Sequence, residues 1–148
     1  MEMNYTQYPA TSSNFLLLRL IDQYKTHDRL IVAYDIDDTV RPYYSRPTGE
    51  IQSLLRMAKR VLNAYLIVYT SNPNVEEIVK FLNKNDIPYD SINENALFAV
   101  SPGAKIYYNI FLDDKAGLGQ AAQILKELID LVENGTVKKI PSEMTSEG

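Results

Sequence analysis

The chain has no cysteine, no tryptophan and a single histidine among its 148 residues. Without cysteine, disulfides, zinc–thiolate sites and thiol nucleophiles are excluded. One histidine cannot build a histidine metal cluster, and His27, between Thr26 and Asp28, reads as a solvated turn residue between a helix and a strand. Positive charge is in deficit: the formal net charge is -4 and the sequence pI about 5.0, so nothing draws the chain generally to nucleic acid or to an anionic membrane. No apolar run approaches the roughly 20 residues of a membrane span. The opening MEMNYTQYPATSS lacks a basic-then-apolar leader, and a cytoplasmic location is the expectation.

What is present is an ordinary globular balance, 45% hydrophobic and 23% charged, in a length that suits one domain. Residues 1–13 read as a loose lead-in, 14–135 as the domain and 136–148 as a flexible tail. SSNFLLLRLIDQY offers cap serines and an apolar stripe on Phe15, Leu17, Leu18 and Ile21. Residues 30–36 form a short buried strand, followed by the loop RPYYSRPTG. Ile51, Leu54, Leu55, Ala58, Val61 and Leu62 then recur at helical spacing, with Thr48 as a cap. AYLIVYTSNP is a second strand that stops at Thr70 and Ser71. NVEEIVKFL pairs Asn74 with Glu77 at capping-box spacing and places Val75, Ile78, Val79 and Leu82 on one face. PYDSIN is a short strand, KIYYNIFLDD a fourth, and the helix after it is stopped by Gly135. Strands that are continuous apolar runs alternating with helices predict an α/β fold: a doubly wound parallel sheet, three-layer α/β/α and Rossmann-like.

The strands share an unusual ending. LIVAYDIDDTV closes an apolar run with three aspartates in four positions, and IFLDD ends the fourth strand in two more. In parallel sheets, ligands bind beyond the carboxyl ends of the strands. The residues expected there are Asp35, Asp37, Asp38 and Thr39, then Thr70, Ser71 and Asn72, then Asp113 and Asp114. Carboxylates gathered in that way repel one another, more so when buried. With oxygen ligands only, a hard cation is the natural partner, and magnesium suits a site that keeps waters and adds a substrate phosphate.

The D-x-D-x-T pattern of Asp35, Asp37 and Thr39 after a first strand resembles the haloacid dehalogenase superfamily of phosphotransferases. Thr70 ending the second strand, Lys105 ahead of the last acidic motif, and the Asp113–Asp114 pair match its other motifs. The resemblance implies a magnesium-dependent phosphatase acting through an aspartyl-phosphate. Asp35 would be the nucleophile, and Asp37 would protonate the leaving oxygen and later deprotonate water. Its backbone carbonyl, with Asp35, Asp113 and Asp114, would hold the metal. Thr39 would help position Asp37, while Thr70 with Ser71 and Asn72 would hold the phosphoryl oxygens. Lys105 would neutralise charge, with Lys80 as its competitor for that role. Arg41 is a candidate contact for the substrate phosphate. Asp38, where many members have glycine, is expected in a solvated turn or cap, with Arg41 as a partner.

GLGQAA at 117–122 matches a nucleotide-binding fingerprint, but it opens a last helix with no strand after it and reads as a loose helix start. The intervals between motifs hold no cap domain. The site is therefore expected to be open, or covered by a second subunit in a homo-oligomer, with a small phosphorylated metabolite or nucleotide as substrate. A macromolecular substrate, a protein or a nucleic-acid end, is the alternative. A receiver-type phosphoacceptor module would instead need an aspartate at the end of the third strand, where the nearest acid, Asp90, lies at its start.

Overall fold

The computed structural model describes residues 12–27, 29–44, 47–98 and 106–141, without the side chains of 12–14. The elements run α1 (Ser12–Thr26), β1 (Ile31–Tyr34), α2 (Gly49–Leu62), β2 (Tyr65–Val68), α3 (Val75–Lys84), β3 (Ser91–Ile92), β4 (Ile110–Leu112) and α4 (Leu118–Glu133). The four strands form one all-parallel sheet in the order β3-β2-β1-β4. This is an α/β fold compatible with a Rossmann-like one. No helix of the described residues is long and apolar enough to cross a membrane.

Strand register sorts the core. Val32 lies beside Leu66 and Ile110, and Tyr34 beside Val68 and Leu112. Neighbours in register point to the same side, and these six join the main cluster with Leu20 and Tyr24 of α1, Leu55 and Ala58 of α2, Ile78 and Leu82 of α3, and Leu125 and Leu128 of α4. The alternate positions Ile31, Ala33 and Ile67 form a second cluster with Ala96, flanked by Tyr65, Ile106, Tyr108 and Phe111. No helix residue belongs to it. Among the described residues the second sheet face is thus covered by an irregular, aromatic-rich segment where the sequence predicts a second helical layer. Continuous apolar strands require cover on both faces, and loops and rings satisfy that as well as a helix does.

The elements sit close to where the sequence places them. In α2 the apolar stripe is buried as predicted, apart from the half-buried Val61. Thr48 is its N-cap residue yet makes no side-chain cap bond. In α3 the Asn74 side chain accepts the Glu77 N–H at 3.2 Å, while the Glu77 carboxylate returns to the Asn74 amide side chain rather than to its backbone. Val75, expected on the inner face, is exposed. The stripe of α1 is shifted: Leu20 and Tyr24 are buried and Phe15 is half exposed. β4 is shorter than its apolar run, because Asn109 ends it: the Asn109 side-chain oxygen accepts the Ile31 N–H at 2.7 Å.

The tail also differs from expectation as far as Pro141. Gly135, in the left-handed region at φ 84°, turns the chain out of α4. Val137 is buried, Ile140 N–H donates to the Lys25 carbonyl, and the Lys139 ammonium donates to the carbonyls of Tyr24 and His27. Residues 136–141 therefore pack back on α1.

Candidate active site

The ladder carries on past the strands for one residue: Asp35 N–H donates to the Leu112 carbonyl at 2.9 Å, and Tyr69 N–H to the Tyr34 carbonyl at 2.8 Å. This brings the ends of β1, β2 and β4 to one edge. There Asp35, Asp113 and Asp114, all half-buried, each offer a carboxylate oxygen within 4.8 Å of the others. Burial pushes the Asp35 carboxyl up to about 6, the charge of Asp113 and then of Asp114 adding to it against a backbone bond from Ile36. None of the ion pairs among the described residues involves these three acids.

The neighbouring acids Asp37 and Asp38 are engaged elsewhere. Asp37 Oδ1 accepts both Nε and Nη2 of Arg41, at 3.0 and 2.9 Å, and Arg41 Nη1 reaches Glu77 at 3.2 Å. The Asp37 carboxylate is therefore held by Arg41 and is not one of the three clustered acids, while the bridge between residues 37 and 41 uses the Ile36 carbonyl and the Asp38 N–H and leaves the Asp37 carbonyl out. Asp38 is not solvated, and its carboxylate does not pair with the Arg41 guanidinium. It is 6% exposed, sits in the left-handed region at φ 59°, and its Oδ1 accepts the N–H groups of Tyr43 and Tyr44, each at 2.8 Å. The tight turn that returns Arg41 to Asp37 is what points Asp38 inward.

Thr39 is fully buried, and its hydroxyl accepts the Asp114 N–H at 3.1 Å. It positions the second acidic motif, with no bond to Asp37. Thr70 ends β2, where its hydroxyl accepts the Asn72 N–H at 3.1 Å. Its backbone is gripped by Asn93, whose side chain accepts the Thr70 N–H and donates to the Thr70 carbonyl. Ser71 is exposed and Asn72 half-buried beside it. Asp113 Oδ1 also accepts the Lys115 N–H at 2.9 Å. Lys105 lies outside the described residues, and Lys80 is exposed on α3. Gly117 caps α4 in the left-handed region, as a helix start and not as part of a βαβ fingerprint.

Asn93 and Glu77 are participants that sequence reasoning missed. Each has a faint signal: Asn93 follows a strand and adopts φ 54°, which asparagine tolerates, and Glu77 stands at the capping position of the helix that follows Thr70. A groove of about 650 Å³ between α2 and α4 is lined by Ile51, Leu54, Met57, Leu118 and Ala122 among others and by none of the strand-end aspartates.

No family model, curated protein or solved structure matches the chain. What it does must be argued from this geometry.

Proposed function

We propose that the chain is a phosphatase of the haloacid dehalogenase type, built on a parallel, Rossmann-like α/β core without a cap and hydrolysing phosphate monoesters with magnesium. The observation that carries this reading is the convergence of Asp35 with Asp113 and Asp114, in no ion pair among the described residues, at the carboxyl edge of two adjacent parallel strands. An arrangement that raises the Asp35 carboxyl to about 6 is poorly suited to structure and well suited to a hard cation. Asp35, Asp113, Asp114 and the Asp37 carbonyl would hold it. When bound, the ion supplies charge neutralisation for a carboxylate meeting a phosphate.

Asp35 attacks phosphorus and forms an aspartyl-phosphate as the ester bond breaks. Asp37 gives its proton to the leaving oxygen, then takes one from the water that releases inorganic phosphate. The Arg41 fork fixes the Asp37 rotamer for both steps. Thr70 and the amides after it receive the phosphoryl oxygens. Asp90 supports this reading over a receiver: it pairs with Lys59 at 2.8 Å and accepts the Leu66 N–H, a structural role at the start of β3. A small phosphorylated metabolite or nucleotide is the proposed substrate, and a homo-oligomer the proposed assembly.

The test is release of phosphate from a generic aryl phosphate with magnesium and with chelator. Turnover should need the metal and vanish in Asp35→Asn. Many phosphates released per chain separates an enzyme from a phosphoacceptor, which would release about one.

A further inference from the structure

Tyr43 and Tyr44 follow the acidic loop directly. Their rings pack edge to face, with centroids 4.7 Å apart, and are 65% and 81% exposed. Two large rings left in water forgo the burial that Tyr24 and Tyr34 obtain in the core. Their backbone is not loose. Both N–H groups end on Oδ1 of Asp38, a buried carboxylate in a left-handed residue. A buried anion and a left-handed non-glycine residue each cost free energy. Both are spent here on fixing the main chain beneath the two rings. The Asp38 N–H in turn donates to the Arg41 carbonyl at 2.7 Å, while the Arg41 side chain holds Asp37. The ring pair is thus tied, through one folded-back loop, to the residue proposed as acid and base.

We infer that Tyr43 and Tyr44 form a binding platform for a planar aromatic group, so that the phosphate ester taken by this site is a nucleotide. The inference rests on the phosphatase reading and deepens it to a substrate class. Ring stacking accepts any base, because every base has a π-face. The selectivity expected is therefore between esters with a ring and esters without one, and not between bases.

The experiment is calorimetric titration of the Asp35→Asn protein, with magnesium, against adenosine 5′-monophosphate and ribose 5-phosphate. The nucleotide is expected to bind about tenfold tighter, the order that stacking on one aromatic side chain supplies. Tyr43→Ala and Tyr44→Ala should each remove most of that preference and leave ribose 5-phosphate binding in place. Tyr43→Phe and Tyr44→Phe should keep it, since stacking needs the ring and not the hydroxyl. Equal affinity for the two esters, loss of both in the alanine variants, or no measurable binding of either overturns the platform. Hydrolysis by the wild-type protein is scored separately. A preference without turnover leaves the platform standing and removes the phosphatase; equal turnover and equal binding of both esters does the reverse.

Discussion

The Asp114 N–H donates to the buried hydroxyl of Thr39, joining two acidic motifs that lie 75 residues apart. Thr39→Val keeps the shape and removes the acceptor, leaving that N–H unanswered. We expect a loss of about 1–3 kcal/mol and weaker stabilisation by magnesium. Thr39→Ser, which keeps the hydroxyl, should fall between the two in urea unfolding. If the valine variant matches the serine one, the bond does not hold the motifs together.

Asp35 sets a pH dependence of the metal-free protein. Its carboxyl is raised from 3.8 to about 6 on folding, chiefly by burial. A raised acid pKa means the ionised form is disfavoured in the fold. This contribution is most favourable below about pH 4, declines as pH rises toward 6, and is flat above. In chelator, Asp35→Asn should therefore unfold later than wild type at pH 8, by about 1 kcal/mol since water screens a half-exposed group. The two should converge near pH 4. A constant gap across that range would mean that charge at Asp35 is not the cause.

Asp113 and Asp38 should separate metal binding from loop structure. Asp113→Ala is expected to weaken magnesium binding about tenfold or more, judged by what lesser changes around metal ligands cost, with little change in metal-free stability. Asp38→Ala should do the opposite. It removes the acceptor of two N–H groups and leaves alanine in a left-handed conformation, for about 2–3 kcal/mol. Thermal melts with and without magnesium read both effects. Identical magnesium titrations for the two variants would contradict the metal shell.

Arg41→Lys keeps the charge and loses the two-pronged contact with Asp37. Turnover should drop about tenfold or more with KM little changed, because a misplaced acid slows chemistry and not binding. A rise in KM alone would mark Arg41 as a contact for the substrate phosphate, its role in the sequence reading.

The sequence made the strand ends legible because composition and position coincide there. An apolar run closing in Asp35 or in Asp113 and Asp114 tells both where the strand stops and what it presents. The loop between Asp37 and Arg41 was not legible. Three aspartates within four positions look alike in a string, and which one faces Arg41 depends on a single positive φ at Asp38. The cover of the second sheet face was hidden for a related reason. Ile31, Ala33 and Ile67 demand apolar neighbours, and the pattern does not distinguish a helix from Ala96, Ile106 and Tyr108. Asn93 was missed because its work is done by an amide side chain on the backbone of Thr70, which leaves no periodic trace.

The central place of β1 has a consequence for biosynthesis. Its partner β2 is complete once Val68 is made, but Asp113 arrives 45 residues later, about 2–9 s at ordinary elongation rates. Until β4 docks, Asp35 meets neither of its two fellow carboxylates. The nascent chain carries no mutual repulsion at the strand end and no ready-made cation trap, so metal cannot bias the early pairing of β1 with β2. A product that terminates before β4 lacks Asp113 and Asp114 and cannot assemble the three-carboxylate cluster.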